Sequence, residues 1–127
     1  MTGERIVVVE DNEKNMKLFC DVLVATGYRT IEARTGGEAV DLTMEHRPDL
    51  VLMDIQLPDI DGVQALRQLR AEARTAAIPV LALTAQAMLG DRERFLAAGF
   101  DGYLSKPVNV RELIETVRQH CNDETDG

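Results

Sequence analysis

Three short apolar runs constrain the fold more than any other feature of this chain. They are RIVVV at Arg5–Val9, LVLM at Leu50–Met53 and PVLAL at Pro79–Leu83. Each is rich in Val, Ile or Leu and bounded by charged or turn-forming residues, the pattern of a strand buried on both faces. RTIEA at Arg29–Ala33 is a weaker run with a polar bias, which predicts a strand at a sheet edge. Tyr103 and Leu104 form a short fifth run. Between the runs, apolar residues recur at helical spacing. Met16, Phe19, Cys20 and Leu23 form one such face, and Ala39, Val40 and Met44 a second. Leu66 and Leu69 mark a third helix from about Gly62 to Ala73, and a fourth runs from about Ala87 to Ala98. Val110, Leu113, Ile114, Val117 and Cys121 complete a fifth. Asp11 or Asn12 is placed to cap the first helix and Gly27 to stop it; Pro48 closes the second. Strands joined by helical crossovers build a parallel sheet with helices on both faces. Right-handed crossovers then leave a doubly wound α/β sheet, either the flavodoxin-like order 2-1-3-4-5 or half of a Rossmann fold.

A chain of 127 residues reads as one domain, with a core at about 5–121 and an acidic, frayed tail at 122–127. Such a length buries roughly two-thirds of the unfolded surface, enough for a core without staples. No apolar run approaches a membrane span and no basic-then-apolar leader is present, so a cytoplasmic location is expected. The net charge of −8 argues against nucleic acid as the direct partner, because phosphate binding needs a basic surface. Cys20 and Cys121 form no CxxC pair and fall in helical patterns, as expected of free thiols in a reducing compartment. His46 and His120 stand apart, without the clustering that a zinc site needs.

In doubly wound sheets, ligands bind at the carboxyl ends of the strands. There the chain carries Glu10 and Asp11 after the first strand, Asp54 after the third, Thr84 after the fourth and Lys106 after the fifth. Three carboxylates close together repel one another, and one lysine cannot balance them. Oxygen ligands without His or Cys point to Mg²⁺. Asp11 and Asp54 would bind it directly and Glu10 through water, and the backbone carbonyl of Gln56 is a further oxygen. A metal, a fixed carboxylate, a hydroxyl and an ammonium suit phosphoryl transfer, with Asp54 as the in-line nucleophile and Thr84 and Lys106 holding phosphoryl oxygens. No Gly-rich phosphate loop follows any strand, so no nucleotide cradle is visible. Gln56 stands where a hydrolase with an aspartyl intermediate would want a second acid. An acyl phosphate should therefore persist, which describes a switch rather than an enzyme beyond its own phosphorylation and dephosphorylation.

The segments VVVEDN, VLMDIQLPDIDG, LALTA and YLSKP, in this order and spacing, resemble the response-regulator receiver domains of bacterial two-component systems, and the resemblance runs from Ile6 to about Val117. VEDNEKNMKLF, LMDIQLP and the AM-GD pattern at Ala87–Asp91 are similar to the DivK-type single-domain regulators. DGYLSKPVN is also similar to receivers of hybrid kinases. The resemblance implies a flavodoxin-like (βα)5 sheet of order 2-1-3-4-5, and Asp54 phosphorylated by a histidine kinase or phosphotransfer protein. It implies a cis bond between Lys106 and Pro107. With no second domain to regulate, output is expected through protein contacts. Thr84 would move toward the phosphoryl group, Tyr103 would turn inward, and the face of the fourth helix, fifth strand and last helix would change around Ala87, Met88 and Leu89. The alternative is a relay that hands the phosphoryl group to another histidine. Gln56 and Gln86 flank the site.

Overall fold

The structure, a computed structural model, describes residues 3–85 and 91–121, with the backbone alone at 91 and 92. The elements alternate as the apolar runs predict: β1 (Arg5–Val9), α1 (Glu13–Thr26), β2 (Arg29–Ala33), α2 (Gly36–His46), β3 (Leu50–Asp54), α3 (Gly62–Ala71), β4 (Val80–Thr84), α4 (Asp91–Ala98), β5 (Gly102–Ser105) and α5 (Val110–Cys121). All strand pairs are parallel, in the order β2-β1-β3-β4-β5. Of the two topologies left open by the apolar pattern, the chain takes the flavodoxin-like one.

The apolar runs are continuous because each feeds two cores. Alternate residues of a strand point to opposite faces. Ile6, Val8, Leu50, Leu52, Leu81 and Leu83 pack with Met16, Phe19 and Leu23 of α1 and Leu113 and Val117 of α5. Val7, Val9, Val51, Met53, Val80 and Ala82 pack with Ala39 and Val40 of α2, Leu66 and Leu69 of α3, and Phe95 of α4. Each fully buried Val or Leu contributes about 1.5–3 kcal/mol. β2 lies at one edge, with its strand half exposed, as its polar bias predicts.

Local signals set the element ends. Asn12 caps α1 by accepting the Asn15 N–H at 3.0 Å, and Gly27 ends it at φ 110°. Three details differ from the periodicity. Thr43, not Met44, completes the buried stripe of α2, and Met44 lies at its border. α3 stops at Ala71, because the Thr75 hydroxyl donates to Leu69 O at 2.6 Å and turns the chain before Ala73 can extend the helix. Val110 is 44% exposed; it is the first residue of α5, and the buried stripe begins one turn later at Leu113. Cys20 and Cys121 are both buried and form no disulfide. The fourth helix is described from Asp91, and residues 122–127 lie outside the described chain.

Candidate functional site

Strand register brings the acidic groups together. β1 and β3 pair with Val9 opposite Met53, so the next residues, Glu10 and Asp54, come side by side at the carboxyl edge. Both are buried, at 1% and 4% exposure, while Asp11 is exposed at the rim. Each of the three offers a carboxylate oxygen, and these oxygens lie within 4.8 Å of one another. In the neighbouring strand Asp54 pairs with Leu83, which places buried Thr84 one residue further along the same edge. Thr84 pairs in turn with Ser105 of β5, and its carbonyl accepts the Lys106 N–H at 2.7 Å. The Lys106 Nζ then reaches Asp54 Oδ2 at 3.0 Å and Glu10 Oε1 at 2.8 Å. The Lys106–Pro107 peptide bond is cis.

The loop after β3 completes the site. Gln56 N–H donates to Asp54 Oδ1 at 3.0 Å, so the Gln56 peptide unit lies against the carboxylate. Gly62 N–H closes the loop on Ile55 O at 2.9 Å. A Cβ on Gly62 would stand 2.7 Å from Asp54 O and 3.0 Å from Ile55 Cα, so only glycine allows the loop to return this close to the end of β3. Tyr103 is half-buried in β5, its ring 6.0 Å from that of Phe95 and tilted by 53°. Gln86, Ala87, Met88 and Leu89 lie outside the described residues.

A family model for the response regulator receiver domain matches residues 6–118. The chain belongs to this family. It is 50% identical over 118 residues to the polar-differentiation response regulator DivK of Brucella anthropi, covering 93% of this chain and 96% of that protein. The Brucella ovis counterpart is 49% identical over the same lengths. Among solved structures, the receiver domain of the sensor histidine kinase PA1611 of Pseudomonas aeruginosa superposes with a TM-score of 0.88 at 38% identity, covering 96% of this chain and all of that one; that structure holds a magnesium ion coordinated in its active-site cleft. A response regulator of Chloroflexus aurantiacus gives a TM-score of 0.89 at 29% identity, over 94% and 98% of the two chains. Receiver domains serve two-component systems, interact with histidine kinases and downstream targets, and are not in general enzymes.

In this receiver domain the buried charges are unevenly matched. Burial pushes the Glu10 carboxyl up and the Asp54 charge adds to this, while the Lys106 ammonium pulls it back. Burial also opposes the charge on Lys106, yet hydrogen bonds and attraction from Glu10 and Asp54 hold its ammonium above the usual lysine range. Three carboxylates against one ammonium leave a formal surplus of two negative charges. Glu10 Oε1 is buried, and the Lys106 ammonium approaches it at 2.8 Å. A surplus of that size, two buried carboxylates among the three, and an all-oxygen donor set fit a hard divalent cation such as Mg²⁺.

Two residues that organise the site and its support escaped the sequence reading. Asp59 has no role in the sequence reading, yet it accepts backbone N–H groups from the start of α2. Arg70 of α3 has no role in the sequence reading either. It donates to Ala76 O, Ile78 O, Gly99 O and Asp101 Oδ2 at 2.7–3.1 Å, tying α3 to the turns on either side of β4. Only chain separation hides them: their partners lie up to 31 residues away.

Proposed function

We propose that this chain is a stand-alone, cytoplasmic response regulator that accepts a phosphoryl group on Asp54 from a histidine kinase or phosphotransfer protein. The observation that carries the reading is the buried Asp54 carboxylate at the end of β3, gripped by Lys106 Nζ at 3.0 Å and Gln56 N–H at 3.0 Å, beside Glu10 and Asp11. None of the described helices is long and apolar enough to cross a membrane, in keeping with that location.

Asp11 and Asp54 would ligate Mg²⁺ directly, Glu10 through water, and Gln56 through its carbonyl. Bound there, the ion supplies neutralisation of charge on the transferring phosphoryl oxygens. The rest is work for this chain's own side chains. Gln56 N–H holds Asp54 Oδ1, which orients the carboxylate for in-line attack. An Asp54 oxygen forms a bond to phosphorus as the phosphorus–nitrogen bond of the phosphohistidine donor breaks; the electron pair leaves on the imidazole nitrogen, which takes up a proton. Lys106 exchanges its contact with the Asp54 carboxylate for a phosphoryl oxygen, and the Thr84 hydroxyl donates to another. No acid follows at residue 56 to activate water, so the acyl phosphate is long-lived enough to act as a signal. The movement of Thr84 and the inward turn of Tyr103 then change the α4–β5–α5 face, which binds the downstream target.

Acetyl phosphate with Mg²⁺ is expected to add the mass of one phosphoryl group to the parent protein and none to Asp54→Asn, with unchanged circular dichroism. Failure to label the parent would remove the proposal. Incubating the labelled protein with histidine phosphotransfer proteins separates output from relay: onward transfer makes it a relay, and binding of a target without transfer makes it an output protein.

A further inference from the structure

The loop after β3 is held at its base by Asp54 and Gly62, and at its apex by a second, separate anchorage. Asp59 Oδ1 accepts the Gly36 N–H at 2.7 Å and Oδ2 accepts the Gly37 N–H at 2.9 Å. These are the first amides of α2, donors with no partner inside the helix. Thr35 caps the same end but takes the Glu38 N–H at 3.1 Å, which leaves the first two for Asp59. The carboxylate spans both with one oxygen each, and it gains from the positive end of the helix dipole. The backbone approach is as close as it can be. A Cβ on Gly36 would collide with Ile60 Cγ1 and stand 3.0 Å from Ile60 O; one on Gly37 would stand 3.2 Å from Asp59 Oδ2. Glycines at both positions let the loop lie directly on the helix end.

The same loop carries the Gln56 peptide unit, whose N–H orients Asp54. We propose that Asp59 is a positioning residue for the phosphorylation site: by strapping the loop to the start of α2, it holds the Gln56 N–H on Asp54 and the Gln56 carbonyl toward the metal position. This rests on the Mg²⁺ site described above. Glu10, Asp11 and Lys106 approach Asp54 from the ends of β1 and β5. Asp59 instead tethers the loop itself, through hydrogen bonds to a helix more than twenty residues earlier in the chain. Without it, the loop keeps its base but loses the restraint that fixes the plane of the Gln56 peptide.

The test uses amide hydrogen exchange by NMR and Mg²⁺ titration on the full chain, for the parent, Asp59→Ala and Asp59→Asn. Asp59→Ala is expected to lose protection at Gly36, Gly37 and Gln56 and to bind Mg²⁺ about tenfold more weakly, the lower end for loss of a residue that supports a ligand. Asp59→Asn keeps one acceptor oxygen and should fall between; if Asp59→Ala does not fold, Asp59→Asn carries the same comparison. Lost protection at Gly36 and Gly37 with unchanged Gln56 protection and unchanged Mg²⁺ affinity would make Asp59 a helix cap alone and overturn the proposal. Absence of any Mg²⁺ response in the parent would overturn it too, and would locate the failure in the metal site rather than in the strap.

Discussion

Replacing Lys106 by Met removes one charge and keeps most of the side-chain volume, so it isolates the electrostatics of the site. Lys106 is the cation that faces both buried carboxylates, at 2.8 and 3.0 Å. Without it, Glu10 and Asp54 face each other with oxygens inside 4.8 Å and 1% and 4% of their surface exposed. Two unit charges at that distance repel by roughly 3.5 kcal/mol at an effective dielectric of about 20. Loss of one partner from a buried ion pair costs about 3–5 kcal/mol, a large share of the roughly 5–15 kcal/mol that holds a domain folded. The strain has one outlet, protonation of Glu10, whose carboxyl burial already pushes up. A carboxyl raised in the folded state binds its proton there more tightly than in the unfolded chain. Stability therefore rises as pH falls from the raised folded value toward the unfolded glutamate value of about 4.3. Lys106→Met is expected to be about 3–5 kcal/mol less stable than the parent near pH 8, with the deficit shrinking toward pH 5. Mg²⁺ at about 100 times its Kd adds about 2.7 kcal/mol to any form that binds it, and the variant, with the larger negative surplus, should gain more than the parent at equal Mg²⁺. Urea unfolding followed by circular dichroism at both pH values, with and without Mg²⁺, checks this. An equal deficit at the two pH values, or a smaller Mg²⁺ gain than in the parent, refutes the charge argument.

Three further outcomes follow from named contacts. Arg70→Ala removes donors to three carbonyls and Asp101, and at about 1 kcal/mol for each bond the loss should be about 2–4 kcal/mol in urea unfolding, with Mg²⁺ affinity unchanged. Gly62→Ala forces a Cβ against Asp54 O and Ile55 Cα, backbone atoms that cannot rotate away. It should cost about 1–3 kcal/mol and slow labelling by acetyl phosphate, as read by mass spectrometry. The N–H groups of Gly37, Ile60 and Gly36 hold the Asp59 carboxyl below the usual carboxylate range. Its share of stability is thus present above the unfolded aspartate value of about 3.9 and lost as pH falls through the lower folded value; thermal unfolding below about pH 4 should show this loss in the parent and not in Asp59→Asn.

Much of the site was legible because its residues sit at strand ends. A run such as LVLMD states where its strand stops, and in a doubly wound sheet the stop is the ligand edge, so Glu10, Asp11, Asp54, Thr84 and Lys106 follow from strand limits alone. Strand edges were legible too: RTIEA is too polar to be buried on both faces, and β2 lies at the rim. Val110 misled because periodicity marks a helix face but not where the neighbouring sheet begins to cover it.

By itself, then, the order of residues determined the element types, the parallel architecture and which polar groups stand at the strand ends, since each is written in local periodicity and in what ends each run. Tertiary structure alone decided which member of every Val-Leu pair faces α1 and α5 and which faces α2, α3 and α4, because a continuous apolar run carries no parity signal. It also decided that Lys106 spans two carboxylates, that Asp59 reaches α2, and that Arg70 joins three segments. Those contacts are set by register and by loop paths between residues far apart in the chain, and hydrogen-bonding groups leave no periodic trace of the partners they will find.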